Sequence, residues 1–226
     1  MRITWRHILL CILLFLARDG LCQEAFEPFF FFHACDSQMT YDPGIPVRLG
    51  RMRNLANIIH PDFVDMAGDL VNVPTDEFYA RYYPTTVGYQ VPYYAIPGNH
   101  DIGPNIDYPG YEGSTPAAYR QRLGPDYYRI THKDCDLYFL DSPVLRDRYT
   151  YGDEYDQQWA WLQQQVPASM GRKHVFFFMH HPPFTNDVNE TGGDLSCCGF
   201  GYSNWPPIER AMFLNLANLV GSRYFF

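Results

Sequence analysis

The 226-residue sequence has little positive charge. Its 17 lysines and arginines stand against 25 aspartates and glutamates, so the formal net charge is −8. A protein without a cationic excess displaces few counterions from a phosphate backbone, which argues against nucleic-acid binding through a broad basic face. The sequence also lacks internal repeats, low-complexity tracts and any linker that would divide it, so we expect one sizeable domain.

Long apolar runs are missing except near the N-terminus. There, two arginines precede a continuous apolar run over residues 8–17, and a Gly-Leu-Cys triplet follows at 20–22. This three-part pattern predicts a secretory signal peptide over residues 1–22 and a domain over residues 23–226. The run has about half the length that a bilayer-spanning helix needs. We therefore expect a secreted, extracellular protein without stable membrane insertion, and an uncleaved membrane anchor is the alternative.

Cysteines are few, and two of the six lie in the predicted signal peptide. Export would place the other four, Cys35, Cys135, Cys197 and Cys198, in an oxidising compartment, where they allow three pairings. A bond between the adjacent Cys197 and Cys198 would be strained, which favours pairing with Cys35 or Cys135. Asn189 begins the Asn-Glu-Thr triplet of an N-glycosylation acceptor, and we expect it to carry a glycan in the secreted protein.

Apolar periodicity predicts short buried strands that alternate with amphipathic helices. Helices are expected over 46–60, 157–166 and 207–220, where apolar residues recur at helical spacing. Apart from a strand at 91–96, residues 82–97 and 186–206 are rich in loop-forming residues. Because the strands are apolar throughout rather than alternating, the pattern predicts an α/β sheet covered on both faces. The predicted strands are 29–35, 63–66, 91–96, 127–131, 136–140 and 175–179.

Four of the predicted strands end in polar residues that carry chemistry. Because the carboxyl ends of the strands open onto one crevice of an α/β sheet, we expect these side chains to converge. Carboxylates, amides and imidazoles together suit iron, manganese or zinc rather than a thiolate-type site. Each cluster alone is also typical of a turn, a helix cap or a buried histidine, but the ordered set indicates a metal site. The clusters are Asp36-Ser37-Gln38, Gly68-Asp69-Leu70-Val71-Asn72, Gly98-Asn99-His100-Asp101 and His180-His181-Pro182.

In this order, the four clusters resemble the motifs of the calcineurin-like metallophosphoesterases. The family pattern is Asp-x-His, Gly-Asp-x-x-Asp/Asn, Gly-Asn-His-Asp/Glu, a histidine often followed by x-Pro, and finally Gly-His-x-His. The resemblance is strongest to calcineurin-like phosphoesterase domain-containing phosphatases with Asp-x-Gln as the first motif. Those phosphatases continue the third motif as Gly-Asn-His-Asp-Ile-Gly, as residues 98–103 do here. The resemblance covers residues 30–226 and implies a four-layer αββα sandwich.

The resemblance also implies a role for each polar residue. Two divalent or trivalent metal ions, of iron, manganese or zinc, would clamp a phosphorylated substrate. His100 would act as the acid or transition-state stabiliser, held by Asp101. The first metal would be held by Asp36 and Gln38, the second by Asn99 and His180, with His181 as the alternative ligand, and Asp69 would bridge the two.

Two departures from the family pattern bear on activity. Gln38 supplies a neutral amide where the family has an imidazole, which weakens the binding of softer metals more than that of hard ones. No Gly-His-x-His follows His181, and residues 223–226 resemble the start of the strand that precedes this motif in the family. We therefore expect a domain that is incomplete at its C-terminus, with its closing strands missing, and a chain that is a poor phosphatase as written.

The sequence thus predicts a secreted, metal-dependent phosphoric ester hydrolase of the phosphomonoesterase or protein phosphatase type, in which a hydroxide activated by two metals attacks phosphorus. The alternative is a secreted, non-catalytic binding protein that keeps the fold but has an incomplete metal site. The residues leave open whether the substrate is a phosphoprotein, a small monoester or a diester, and they leave the oligomeric state open.

Overall fold

The computed structural model describes residues 27–103, 114–185, 187–189 and 204–226. The predicted signal peptide at 1–22, Cys197 and Cys198 lie outside these residues. Among the residues that are described, no helix combines the length and the apolar character needed to cross a membrane. The described chain forms two β-sheets with helices between the strands.

The first sheet contains three parallel strands, β1 (Phe31–Ala34), β2 (Phe63–Ala67) and β3 (Tyr93–Ile96), in that order across the sheet. Every residue of the central strand β2 is buried, as expected for a strand that is covered on both faces. The polar residue within β2 is Asp65, whose carboxylate contacts Nδ1 of His33, its neighbour on β1, at 2.6 Å.

The second sheet contains β4 (Tyr128–His132), β5 (Cys135–Leu140), β6 (His174–Met179) and β7 (Tyr224–Phe225), in that order across the sheet. The first two strands form an antiparallel hairpin, and β5, β6 and β7 run parallel to one another. The short strand β7 lies where residues 223–226 were expected to begin a strand.

The helices of the described residues are α1 (Gly44–Ile59), α2 (Asp76–Thr86), α3 (Pro116–Leu123), α4 (Ser142–Arg146), α5 (Arg148–Tyr151), α6 (Asp153–Gln165) and α7 (Pro207–Leu219), and a 3₁₀ turn follows α6 at Val166–Ser169. The prediction of a loop from residue 82 onward is wrong for its first five residues, because α2 continues to Thr86. Tertiary packing overrides the weak helical sequence there, since Tyr82 and Thr85 are buried against the core.

The two sheets pack face to face through a layer of aromatic side chains. Phe63 of β2 contacts Phe139 of β5 and Phe178 of β6, with ring centroids 6.4 and 5.9 Å apart. Phe31 of β1 stacks on Phe63 at 4.8 Å and meets Phe178 edge-on. Aromatic pairs in these geometries add to the stabilisation that comes from burial alone. This layer fixes the relative position of the sheets and therefore of the strand ends that carry the site.

Helices cover the outer face of each sheet. On the first sheet, Ile45 of α1 and Tyr79 of α2 share a buried cluster with Met66 of β2. On the second sheet, Phe213 of α7 contacts Phe177 of β6 with ring centroids 5.0 Å apart, and α6 packs into the same cluster. These layers confirm the predicted four-layer αββα arrangement.

Among the described residues Cys35 and Cys135 are free thiols and are not bonded to each other, and their other expected partners, Cys197 and Cys198, lie outside the described residues. Cys35 follows the carboxyl end of β1, whereas Cys135 begins β5 at the amino-terminal end of the second sheet. These two ends lie on opposite edges of the sandwich. A bond between them would need Cα atoms within about 7 Å, which the length of the strands excludes.

Candidate metal centre

The carboxyl ends of β1, β2 and β6 meet at one edge of the sandwich. Asp36 follows β1 by two residues, Asp69 follows β2 by two, and His180 follows β6 directly. Each offers one ligand atom, and these three atoms lie within 4.8 Å of one another. The structure thus brings together three of the five residues that were predicted to hold metal.

Asp69 is the centre of this group. Its side chain is only 4% exposed, and its Oδ1 lies 3.3 Å from Nε2 of His180. The backbone N–H of His100 donates to the same oxygen at 3.0 Å, and the side-chain amide of Gln38 donates to Oδ2 at 3.4 Å. Three other predicted site residues therefore converge on one buried carboxylate.

The backbone of the candidate ligands is held in an unusual conformation. Asp36, Gln38 and Asp69 all have positive φ angles, of 56°, 40° and 53°. Such left-handed conformations are uncommon outside glycine, and they concentrate at functional sites where the surrounding structure enforces them. Here the backbone N–H of Asp36 donates to Gly68 at 3.0 Å and that of Gln38 to Asp69 at 2.8 Å. The loops after β1 and β2 thus hold each other in place.

Two glycines allow the loops to approach so closely. Gly68 has a φ of 86°, and a Cβ atom added to it would lie 2.7 Å from Cβ of His180. A Cβ atom added to Gly98 would overlap both Oδ1 and the backbone nitrogen of Asp69. The Gly-Asp and Gly-Asn pairs of the sequence are therefore needed for close packing around Asp69 as well as for turns.

His180 is oriented by a backbone carbonyl. Its Nδ1 lies 3.0 Å from the carbonyl oxygen of Ala67, so Nδ1 carries the hydrogen and donates it. The other ring nitrogen, Nε2, faces Oδ1 of Asp69 at 3.3 Å. A histidine whose second nitrogen is fixed in this way is the usual form of a metal ligand.

His181 points elsewhere and is not part of the group of ligand atoms. It is buried, and its backbone is fixed by Ser142 and Trp205, since its N–H donates to Oγ of Ser142 and its carbonyl accepts from Nε1 of Trp205, both at 2.8 Å. Burial, reinforced by the charges of Arg146 and His180, holds the pKa of His181 well below its usual range. The geometry therefore favours His180 over His181 as the ligand.

The prediction that Asp101 holds the His100 ring is wrong. Nδ1 of His100 lies 2.7 Å from the carbonyl oxygen of Asn72, and its Nε2 faces Oδ2 of Asp69 at 3.9 Å. Asp101 instead accepts hydrogen bonds from the backbone N–H groups of Gly98 and Leu70, at 2.8 and 3.1 Å. Asp101 thus holds the loops after β2 and β3 together, and it does not touch the His100 ring.

The carboxyl of Asp101 is fully buried beneath the site. Burial and the nearby negative charge of Asp69 raise its pKa to about 7, although backbone hydrogen bonds oppose this shift.

Asn72, whose carbonyl orients His100, belongs to the second sequence cluster, at the last position of the Gly-Asp-x-x-Asp/Asn pattern, but the sequence predicts no role for it. Its carbonyl could not be singled out from sequence, because every residue carries one.

Two further predicted residues lie in exposed or partly exposed turns. Asn99 is in the turn that follows β3, between Gly98 and His100, and it is half-buried. Asn189 is exposed, and its backbone N–H donates to Oδ1 of Asp187 at 2.7 Å. Asn99 is therefore at the metal-site edge of the sandwich, and Asn189 lies in a tight polar turn.

The chemistry of the donors fits the metals expected from the sequence. Carboxylates from Asp36 and Asp69, an imidazole from His180 and amides from Gln38 and Asn99 suit manganese, iron or zinc. A buried carboxylate is costly without compensating positive charge. Within the described chain, the ion-pair partners of Asp69 are two histidines, with no lysine or arginine among them. A bound cation would supply that charge.

Two curated proteins are similar to part of this chain. A probable glycerophosphodiester phosphodiesterase of Arcobacter nitrofigilis is 29% identical over 125 residues, which are 54% of this chain and 42% of that protein. A glycerophosphodiester phosphodiesterase of Enterobacter lignolyticus is 31% identical over 161 residues, which are 66% of this chain and 51% of the relative. The chain thus spans about half the length of the curated relatives that it matches.

Two solved structures share the fold at 13% sequence identity. A dimetal phosphatase from Danio rerio superposes with a TM-score of 0.56 over 84% of this chain and 77% of its own. GAP50, described as the anchor in the inner membrane complex of Plasmodium, gives 0.57 over 87% of this chain and 64% of its own. The family model of the calcineurin-like phosphoesterases matches residues 36–211, from the first candidate ligand into α7. The chain therefore belongs to the calcineurin-like phosphoesterase family.

Proposed function

We propose that this protein hydrolyses phosphoric monoesters at a site that holds two metal ions. The observation that carries the proposal is the convergence of Asp36, Asp69 and His180, whose ligand atoms lie within 4.8 Å of one another. When bound, the metals would supply a water molecule of lowered pKa and would neutralise charge on the phosphoryl group. Asp36 and Gln38 would hold one metal, Asn99 and His180 the other, and Asp69 would bridge both.

His100 is the side chain placed to assist the reaction without holding metal. Its Nδ1 is committed to the carbonyl of Asn72, so Nε2 is the atom that can donate a proton or a hydrogen bond to the substrate. Nε2 faces Oδ2 of Asp69 at 3.9 Å, and this distance supports a role for His100 beside the phosphoryl group that the metals would hold. Phosphoryl transfer depends mainly on such positioning and on charge stabilisation.

The test is hydrolysis of p-nitrophenyl phosphate by the purified chain supplied with manganese, iron or zinc. We expect turnover that needs added metal and is lost in Asp69→Asn, which keeps the shape of the bridging side chain but not its charge. Thr86→Ala, at the far end of α2, serves as the matched surface control. Metal binding without turnover in the wild-type protein would favour a non-catalytic binding protein with the same fold.

A second candidate function is hydrolysis of phosphoric diesters. It is favoured by the curated relatives, two of which are named as glycerophosphodiester phosphodiesterases. The measurement is kcat/KM for bis-p-nitrophenyl phosphate and glycerophosphocholine beside that for p-nitrophenyl phosphate. A preference for the monoester supports the primary proposal, and a preference for either diester replaces it. Phosphopeptides in the same assay separate a protein phosphatase from an enzyme for small monoesters.

We also propose that the protein is secreted and glycosylated at Asn189. The support is the signal-peptide pattern at residues 1–22 and the exposure of Asn189 in a polar turn. Expression in a secreting eukaryotic cell should deliver the protein to the medium, and an N-glycosidase should then lower its apparent mass. Asn189→Gln should remove that shift. Retention of an unglycosylated protein inside the cell would contradict both parts of the proposal.

A further inference from the structure

One side of α1, here called the outer face, carries only aliphatic and arginine side chains. At 3.6 residues per turn, these residues occupy about a third of the helix circumference and extend over about 18 Å. The four aliphatic side chains are 52, 49, 76 and 46% exposed, in chain order. Exposed aliphatic residues elsewhere in the described chain are scattered singly, which is ordinary for a protein surface. The outer face consists of Val47, Arg48, Arg51, Leu55, Ile58 and Ile59.

The other sides of α1 have partners within the protein. Ile45 and Ala56 are buried against the first sheet. Arg53 and Asn57 donate hydrogen bonds to carbonyl oxygens at the end of α2 and in the turn that follows it. The outer face therefore points away from both the sheet and α2, and Asn54 is the one exposed residue of α1 that lies outside it.

The outer face is also the place where an acidic protein presents positive charge. The chain as a whole carries −8, whereas α1 contains three arginines and no acidic residue. Arg48 approaches Asp42 only at 3.6 Å, with both side chains more than half exposed. Arg51 forms no ion pair with a described residue. By contrast, the two arginines of α3 are bound to carboxylates at 2.6–2.8 Å.

We propose that the outer face of α1 binds a membrane surface that contains anionic lipids. Arginines beside exposed aliphatic residues suit such a surface, because the aliphatic side chains enter the acyl boundary while the guanidinium groups reach phosphate and carboxylate headgroups. The outermost side of a helix in an outer layer is convex, so it has no groove for a peptide. This binding is independent of the proposed hydrolysis.

A second copy of the chain is a poorer occupant for the same face. Arg51 lies between Val47 and Leu55, near the middle of the face along the helix. In a symmetric pair of copies, the same patch faces itself, so the two Arg51 side chains would meet near the two-fold axis. Like charges in that position repel, whereas an anionic headgroup layer attracts both Arg48 and Arg51.

The test is co-sedimentation of the purified chain with vesicles of phosphatidylcholine, with or without about 30% phosphatidylserine to supply negative charge. We expect binding only to the anionic vesicles, and weaker binding as salt is raised. Arg51→Glu should lower the binding constant about tenfold or more, since each cation near such a surface contributes about 1 kcal/mol and the substitution reverses its charge. Ile58→Asp should lower it as well.

Two matched variants control for charge and for loss of an exposed aliphatic residue. Arg148→Glu makes the same charge change on α5, and Ile208→Asp replaces an aliphatic residue that is 71% exposed on α7. Circular dichroism verifies that all four variants fold. Equal binding to neutral vesicles, no binding to anionic vesicles at low salt, or equal losses in control and α1 variants would overturn the proposal. A dimer in analytical ultracentrifugation that Ile58→Asp dissociates would also overturn it, because a second copy would then cover the face.

Discussion

At the residue scale, the orientation of His100 depends on one hydrogen bond, to the carbonyl of Asn72 at 2.7 Å. Because His100 is placed beside the predicted ligands without being one of them, its removal should affect turnover and spare metal binding. We expect His100→Asn to lower kcat for a phosphoric ester by about two to three decades, the usual scale for one positioned proton donor or charge stabiliser. Steady-state kinetics and elemental analysis of the same samples measure both quantities.

The matched control for this variant is His60→Asn. His60 is exposed at the C-terminal end of α1 and has a φ of 54°, a conformation that asparagine tolerates. We expect its kinetics and metal content to equal those of the wild-type protein. Loss of metal from His100→Asn would show that this histidine is a ligand, and its assigned role would then be wrong.

Gly98 is the second residue whose replacement tests the metal site. Its missing side chain lets the loop after β3 touch Asp69, and an added methyl group would overlap the Asp69 backbone. We expect Gly98→Ala to displace the carboxylate of Asp69 and to weaken metal binding by at least the 10- to 100-fold that a disturbed supporting residue typically costs. Calorimetric titration of the metal-free wild type and variant with manganese measures the change in affinity.

Gly50→Ala is the control for this substitution. Gly50 lies within α1, where an added Cβ would meet nothing closer than 4.0 Å. Alanine favours a helix over glycine by about 0.5–1 kcal/mol, so this variant should be as stable as the wild-type protein or more stable. If both variants bind manganese equally well, the close approach of Gly98 to Asp69 does not serve the metal site.

At the element scale, the strands were easier to predict than the helices. All six strands that lie between residues 29 and 179 occur within two residues of their predicted bounds, because a short apolar run has few alternatives to a buried strand. The candidate ligands Asp36, Asp69 and His180 could be predicted for the same reason, since each follows such a strand by one or two residues. The hydrogen-bond partner of His100 could not, because it is a backbone carbonyl and carries no sequence signal.

Four of the described helices, α2 to α5, were missed, and the two longer ones, α2 and α3, each have a sequence signal at the start. Thr75 and Thr115 precede them, and each side chain accepts a hydrogen bond from the backbone three residues later, at 3.2 and 3.1 Å. Thr-Asp-Glu at the start of α2 is typical of a capped helix. The tyrosines and the proline within α2 obscured that signal, because they lower helix propensity while serving the core.

The cap at Thr75 gives a test of how α2 is held. Thr75→Ala removes the acceptor for the backbone N–H of Phe78 and should lower the free energy of unfolding by about 1 kcal/mol. Thr75→Asp restores an acceptor and adds a negative charge near the helix N-terminus, so it should recover the loss. Urea unfolding followed by circular dichroism measures all three proteins. Equal stability of the alanine and aspartate variants would contradict the capping role.

At the scale of the whole molecule, the two edges of the sandwich differ in how their charges are balanced. At the amino-terminal ends of the strands, Asp62 is bound to His132 at 2.9 Å and to Lys133 at 3.0 Å. At the carboxyl ends, Asp69 and Asp101 lie close together and contact no described lysine or arginine. One edge is therefore neutralised by the chain itself, whereas the carboxylates Asp69 and Asp101 at the other edge have no lysine or arginine partner among the described residues.

Buried carboxylates away from the site make the stability depend on pH. Asp136 accepts hydrogen bonds from Thr131 and Ser169, both at 2.6 Å. Burial alone would raise the pKa of Asp136, but these bonds and nearby arginines outweigh it, so the pKa lies below its ordinary value of 3.8. The stabilisation is therefore present above that value and is lost as the pH falls through it. Asp136→Asn should cost about 1–3 kcal/mol near neutral pH, and the difference from wild type should shrink in acid. Urea unfolding of wild type and Asp136→Asn, near neutral pH and in acid, measures this difference.

Asp65 should make the stability depend on pH in the opposite direction. It is fully buried between the sheets, where burial raises its pKa to about 6 although His33 opposes the shift. The folded protein therefore takes up a proton before the unfolded chain does, and the wild-type protein should gain stability as the pH falls from about 7 towards 4, by about 1.4 kcal/mol per unit of pKa displacement. Asp65→Asn can still accept a hydrogen bond from His33 but cannot titrate, so it should lack that gain. The measurement is the free energy of unfolding of both proteins, without metal, across this pH range. If wild type and Asp65→Asn depend on pH in the same way, the pKa of Asp65 is not raised.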